Sequence, residues 1–340
     1  MSLLMNLHKR VYTTQHDSLS KLGYERERIS KLTQEYFEEV LKKFSFLTYF
    51  EGIYHFDKDY INSALKKIKD SFEMKFDNND LITDLKVGTA LWVEDAGIYS
   101  FAHRSLQEYF AALYIKDLNS EHKSTVYGKV YNKILERRIL EIDNFLSLCE
   151  EMDEISYISY FALPVLTNTL KSLRQDSVEQ TMKSVLRMIL GQIVVSYGGR
   201  RPSPKGPGPS TSLHFISESV ASFFLSIDPK CNSHRMGVIV QFITSLGTDN
   251  IKSLIMKKNI HDDFFTPTLA KYFSDRELGK IYAIDIEQSL DEEFCSSLIA
   301  HTDLITAVEK LVKCAEDRIE EYKQVIAQRE KSDKELINLI

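Results

Sequence analysis

Glycine and proline are scarce in this 340-residue chain, at 13 and seven residues. That scarcity removes the frequent turns on which an all-β or doubly wound fold depends. Leu, Ile, Lys and Glu are abundant instead, so long uninterrupted helices are the economical reading. Cysteine is scarce too: Cys149, Cys231, Cys295 and Cys314 stand far apart with no CxxC or Cys/His ligand spacing. This excludes a recognisable zinc motif and disfavours a disulfide framework, leaving isolated reduced thiols as the expectation. No run approaches the roughly 18 consecutive apolar residues of a spanning helix, and Met1 to Leu7 lacks the charged start and long apolar stretch of a signal peptide. A soluble, cytoplasmic protein without a membrane partner is therefore expected.

Excess positive charge is also absent. The formal net charge is −6, which argues against a surface built throughout for phosphate backbones and leaves only local basic patches to weigh. What is present is core-forming material: 43% of residues are hydrophobic, enough for two domains of ordinary size.

Read along the chain, Leu3 to Gln15 is weakly amphipathic and Lys21 to Lys31 is a charged connection, so residues 1–31 form a helix and linker. Thr33 is a helix cap ahead of Tyr36, Phe37, Val40, Leu41 and Phe44 at helical spacing, and Gly52 ends that helix. Asp57 caps a second helix from about Asp59 to Phe72, and the Asp77 to Asp80 turn precedes a third from Leu81 to Val87. The period then changes. Ala90 to Glu94 and Ile98 to Phe101 are short β-prone runs around Asp95-Ala96-Gly97, a hairpin signal. Three short helices followed by a hairpin make a winged helix, assigned to residues 32–118. Leu106, Phe110, Leu113 and Asp117 share one face of the next helix, with Tyr109 and Tyr114 beside it, and these apolar side chains are expected to be core.

Residues 119–340 read as an α-helical domain of helical hairpins or an irregular solenoid, with breaks near Asp153, Pro164, Asp228-Pro229, Gly247 and Pro267. The fold class is accordingly mainly α, a winged-helix domain followed by an all-α domain. Within it, 198–210 holds four of the seven prolines and is expected to be a flexible loop, because such composition suits neither helix nor strand interiors. Near the end, Val308, Val312, Ala315, Ile319, Tyr322 and Ile326 alternate four and three apart. That spacing suits a coiled coil, although packing on its own domain is the simpler expectation.

Other constellations carry less. His261-Asp262-Asp263, His234-Arg235 and His301 with Asp303 have no second ligand group spaced to join them, so no metal site is nominated. Arg26 and Arg28 are interleaved with glutamate, and Arg200, Arg201 and Lys205 lie in the expected loop. The third helix, where a DNA reader would enter the major groove, offers one lysine against two aspartates. Nucleic acid is therefore not the expected partner. There is no Gly-x-Ser-x-Gly elbow and no nucleophile to nominate.

The stretch from Thr89 to Leu118, TALWVEDAGIYSFAHRSLQEYFAALYIKDL, closely resembles the signature that closes the winged helix of NACHT-type NTPases, members of the signal-transducing ATPases with numerous domains. The upstream LHKRVYTTQHDSLSKLGYERERISKLTQEYFEEVLKKFSFLTYFEGIYHF is similar to the bacterial stretch between ATPase core and winged helix, so the resemblance covers about the first 118 residues. It implies a switch protein, plausible in bacterial antiviral defence, in which an ATPase core binds ATP or ADP and the winged helix folds onto the nucleotide. The family histidine that reaches the phosphates maps onto His103. A helix start there agrees with anion binding; Ser105-x-x-Glu108, itself a capping box, would shift that start by two residues.

The chain departs from the family in having no Gly-x-x-x-x-Gly-Lys-Ser/Thr loop and no second nucleotide motif. The expectation is thus a non-enzymatic part of such a protein, whether truncated gene product, split partner or recombinant fragment. ATP or ADP and Mg²⁺ would be bound only with the NTPase core, supplied in cis or trans. Other protein subunits, and a protein ligand at 119–340, are the remaining expected partners. The alternative is a winged-helix DNA-binding regulator with a helical effector domain.

Overall fold

The computed structural model describes residues 28–72, 74–136, 143–190, 192–201, 208–216, 219–257, 280–285, 298 and 300–339. The helix and linker expected over 1–31 lie almost wholly outside these. The chain is mainly helical, and it divides into two compact units, 1–161 and 162–340. The first unit therefore extends past Leu118, the end of the expected winged helix.

In the first unit, α1 (Gln34–Glu51), α2 (Lys58–Phe72) and α3 (Asn78–Thr83) precede a two-stranded antiparallel sheet of β1 (Trp92–Asp95) and β2 (Ile98–Phe101). Each start is chemically marked. The Thr33 hydroxyl accepts the Tyr36 N–H at 3.3 Å, and the Asp57 carboxylate accepts the Tyr60 N–H at 2.7 Å. Gly52 ends α1 at φ 73°, a left-handed conformation that only glycine adopts without strain. The third helix begins earlier than the expected Leu81. Asp77 caps it by accepting the Asn79 and Asp80 N–H groups, so the Asp-Asn-Asn-Asp segment is cap and first turn rather than a separate turn. Beyond Thr83 the helix widens over Asp84–Gly88, where the Thr89 N–H reaches back five residues to the Asp84 carbonyl at 2.9 Å.

The hairpin pairs Trp92 with Phe101 and Asp95 with Ile98 across the two-residue turn Ala96-Gly97. Both turn residues have positive φ, 50° and 83°, as a type I′ turn requires. Its inward side chains meet the helices: Trp92 stacks near Phe44, Phe56 and Phe101, with ring centroids 5.0, 5.9 and 5.9 Å away. Around them Phe37, Leu41, Ile61, Leu65 and Leu81 complete a continuous core. The next helix, α4 (Arg104–Asp117), adds buried Leu106 and Phe110 to this core and packs Tyr109 and Leu113 against it, as the spacing predicts. At its far end Lys42 of α1 reaches Asp117 at 2.6 Å and Glu39 at 2.9 Å. Burial disfavours that ammonium, but its two carboxylates outweigh burial and hold its pKa above the usual lysine value. The unit continues with α5 (Ser120–Leu135), α6 (Phe145–Met152) and α7 (Glu154–Tyr157), the last leading into a wide turn, Ile158–Ala162.

The second unit holds α8 (Leu163–Leu173), α9 (Val178–Leu190), β3 (Gln192–Arg201), β4 (Gly208–Ile216), α10 (Val220–Ile227), α11 (Pro229–Lys257), β5 (Lys280–Asp285) and α12 (Thr302–Ile337). Breaks fall at Asp153, Pro164 and Asp228-Pro229 as expected, whereas α11 runs through Gly247. One glycine costs a helix only about 1 kcal/mol, too little to end it. Pro267 lies outside the described residues.

Two expectations are corrected here. Residues 119–340 are not all-α, because β4, β3 and β5 form a three-stranded antiparallel sheet in that order. Nor is 198–210 wholly a loop, since 198–201 and 208–210 belong to paired strands; 202–207 lie outside the described residues. The β-branched run Ile193-Val194-Val195 favours the strand, and Pro209 sits in β4, an edge strand where a missing N–H is tolerated. The register shifts between Tyr197 and Gly199, a bulge that absorbs the extra glycine. In α12, Leu304, Val308, Leu311, Ala315, Ile319 and Tyr322 are buried within the unit. The thiols are not all isolated either: Cys231 and Cys314 are in contact at 3.7 Å.

Candidate functional site

The corner between β2 and α4 is built by His103. Phe101 is buried at the end of β2, the Ala102 N–H bonds the Leu91 carbonyl at 2.8 Å, and the chain turns into α4 at an extended His103, φ −144° and ψ 136°. That conformation aims its ring back over the helix end. Nδ1 accepts the Ser105 N–H at 3.2 Å and lies 2.5 Å from the Ser105 hydroxyl oxygen. His103 is thus the N-cap, and α4 starts at Arg104. The competing Ser105-x-x-Glu108 box does not form, because the Ser105 N–H goes to His103 and the Glu108 carboxylate faces another helix. Chemically, an Nδ1 that accepts leaves the proton of the neutral ring on Nε2. His103 is exposed, so this N–H is open to solvent at the start of α4. The Ser105 and Leu106 amides are already held by the His103 ring and carbonyl, and the helix end adds the positive pole of its dipole, which favours an anion.

Behind the corner, Arg104, Gln107 and Glu108 fasten α4 to its neighbours. The Gln107 amide donates to the Thr48 hydroxyl at 2.7 Å and to the Ile53 carbonyl at 2.9 Å, tying α4 to the end of α1. Glu108, almost fully buried, accepts the Asn144 backbone N–H at 3.1 Å and its side-chain amide at 3.2 Å. Arg104 donates to Asp143 at 2.7 Å and to the Tyr54 hydroxyl at 2.9 Å, and its Nε makes an ion pair with Glu108 at 3.2 Å. Burial foremost, then the charge of Asp143, pushes the Glu108 pKa above the usual carboxylate value, against the pull of Asn144 and Arg104. Burial and Asp143 likewise raise that of Tyr49, whose hydroxyl lies 3.1 Å from Asp143.

Comparison with known protein families, curated proteins and solved structures gives no match.

Of the residues singled out from the sequence, His103 stands exposed at this corner, while Phe110 is core and Tyr109 and Tyr114 are partly buried beside it. Tyr114 packs on Phe46 at 4.7 Å between centroids. His234 is remote in sequence and lines a groove in the second unit, and His301 precedes α12 without a side-chain cap bond. His261, Asp262, Asp263, Arg26 and Lys205 lie outside the described residues, as do the side chains of Arg200 and Arg201. Among the described residues, no group of three His, Cys, Asp or Glu side chains is placed to hold a metal. Around the third helix, Lys86 is bonded to Glu94 and buried Asp84 accepts the Ile29 and Ser30 N–H groups, each at 2.9 Å. Sequence reasoning missed Asp143 and Asn144. Their one local signal is an Asp-Asn pair directly before the apolar run of α6.

Proposed function

We propose that this chain is a non-catalytic regulatory and interaction part of a NACHT-type signalling NTPase. In this reading the first-unit helices and hairpin are a winged helix, and residues beyond 118 sense a ligand or contact partner subunits. The observation that carries it is the His103 corner: the one histidine that the family resemblance selects caps α4 through Nδ1 and presents Nε2 outward at a helix N-terminus. A bound nucleotide's phosphate there would accept from the ring Nε2–H and lie at the positive end of the α4 dipole. The network of Arg104, Gln107 and Glu108 supports the same reading, since it holds the corner rigid from behind. The chain's own contribution is nucleotide-state sensing, and the phosphate-cradling loop, its lysine and its Mg²⁺ come from an ATPase core. A role in bacterial antiviral defence is part of the proposal and comes from the resemblance alone. No described helix is long and apolar enough to cross a membrane.

Isothermal calorimetry of the chain with ATP or ADP and Mg²⁺ tests whether nucleotide binding needs the ATPase core. Weak or no binding is expected, because one histidine does not replace a phosphate loop, and micromolar affinity would overturn the reading. Filter binding to duplex DNA at low and high salt tests the alternative of a DNA-binding regulator: submicromolar, salt-sensitive binding would favour it. The coding sequence directly upstream, or an adjacent gene, is expected to encode the Gly-rich loop.

A further inference from the structure

The second unit contains a clamp between two helices distant in sequence. Asp228 sits at the start of α11, where Oδ1 accepts the Lys230 and Cys231 N–H groups, both at 3.0 Å. Its Oδ2 accepts from Arg318 Nε of α12 at 2.9 Å, and Glu321 accepts from both Arg318 and Lys230, at 2.9 and 2.7 Å. The Arg318 guanidinium also lies over the Tyr322 ring at 4.3 Å. Within this clamp the Cys231 and Cys314 sulfurs are 3.7 Å apart, although 83 residues separate them in the chain. A disulfide bond is about 2.05 Å long, so side-chain rotation with a small helix shift completes the approach. The two thiols differ in access. Cys231 is fully buried, whereas Cys314 is half-buried and lines an open groove of about 710 Å³ beside Ser233, His234 and Lys313.

We propose that Cys231 and Cys314 are a reversible redox pair: Cys314 meets a peroxide in the groove, and Cys231 resolves the product into a disulfide that locks α11 to α12. In the first step the Cys314 sulfur attacks one peroxide oxygen and the O–O bond breaks. Cys314 becomes a sulfenic acid, and the departing hydroxide takes the thiol proton as water. In the second, the Cys231 sulfur attacks Cys314, an S–S bond forms, the S–O bond breaks, and the oxygen leaves with the Cys231 proton as a second water. Two thiols are oxidised by two electrons and one hydrogen peroxide is reduced to two waters.

The setting tunes the rate. Burial foremost, then Asp228, raises the Cys231 pKa; burial, together with Asp228, Asp317 and Glu321, raises that of Cys314 against the hydrogen bond between the thiols. Little thiolate exists at neutral pH, so the pair answers sustained peroxide rather than turning it over as a peroxidase would. Cys149 differs, being buried and bonded to Tyr127, with no second thiol described beside it.

The test uses the full chain, reduced, desalted, exposed to hydrogen peroxide, then alkylated and mapped by peptide mass spectrometry. A Cys231–Cys314 crosslinked peptide that dithiothreitol removes is expected, with a melting temperature raised by roughly 5–15 °C. Cys231→Ser should let Cys314 proceed to the sulfinic acid. The proposal is overturned if wild-type Cys314 over-oxidises while Cys231 remains alkylatable, or if both thiols stay alkylatable, or if the crosslink runs through Cys149 or Cys295. The wild-type map decides even where a serine variant does not fold.

Discussion

Arg104 and Asp143 stand 39 residues apart in the chain and 2.7 Å apart in space. Their ion pair joins the start of α4 to the start of α6, and Asp143 is 2% exposed while Arg104 is 35% exposed. Removing the carboxylate takes the acceptor from the Tyr49 hydroxyl and leaves the partly desolvated guanidinium with Glu108 and Tyr54. Asp143→Ala should therefore cost about 2–3 kcal/mol, less than a fully buried pair because water reaches Arg104. Asp143→Asn, which keeps an acceptor, should cost less. Urea unfolding followed through the fluorescence of Trp92, the chain's only tryptophan, measures both; unchanged midpoints would deny the pair its role.

Glu108 gives the same cluster a pH dependence. Its folded pKa is raised above 4.5 by burial and by Asp143, so in the window from 4.5 up to the raised value the folded state holds more protons than the unfolded one. By linkage, this group's contribution to stability falls as pH rises through that window and is fully present below it. Glu108→Gln cannot ionise. The stability difference, wild type minus variant, should decline between pH 4 and 7 in parallel urea titrations, and a rise across that range would contradict the sign.

In the hairpin, Ala96 bears a strained φ of 50° ahead of Gly97 at 83°. Asparagine tolerates this region better than alanine, and Asn-Gly is the preferred type I′ pair. Ala96→Asn should raise stability by roughly 0.5–1 kcal/mol. Gly97→Ala should lower it by about 1 kcal/mol through backbone strain alone, since an added Cβ meets nothing within 4 Å. Thermal melts of both variants should move in opposite directions.

His103 combines two roles that substitution separates. His103→Ala removes the cap on α4 and should cost about 1 kcal/mol, whereas His103→Asn restores an acceptor for the Ser105 N–H at little cost. Both remove the outward Nε2 donor. With an ATPase core supplied, both should weaken ADP retention equally, measured by nucleotide release. Full retention by His103→Asn would reduce the histidine to a cap.

Local chemistry was the legible part of this fold. Thr33, Gly52 and Asp57 mark helix ends through bonds to residues at most four positions away, and the Ala96-Gly97 turn sits between two short β-prone runs. What escaped depends on distance or topology. Asp143 and Asn144 matter only because α6 returns beside α4, and nothing near either residue says so. The Cys231 and Cys314 contact is hidden for the same reason. Strands at 192–201 and 208–216 were obscured by proline and glycine, whose tolerance depends on edge position and a bulge, properties of the sheet rather than of the segment. Of the candidate site, His103 was legible through resemblance, but the use of its Nδ1 as a cap required the corner's geometry.

The long helix α12 runs 36 residues, yet its buried side chains stop at Tyr322 and every residue from Ala327 to Leu339 is exposed. Ala327 to Ile337 spans about 16 Å at 1.5 Å per residue. Free in water, a peptide this short is mostly coil, because forming its first turn is unfavourable by a factor of roughly a thousand. In the protein that first turn already exists in the packed part of α12, so the outer three turns need only propagation, helped by exposed pairs such as Arg329 with Asp333 at 3.3 Å. The packed half of α12 thus acts as a template on which an otherwise unstable helix grows outward.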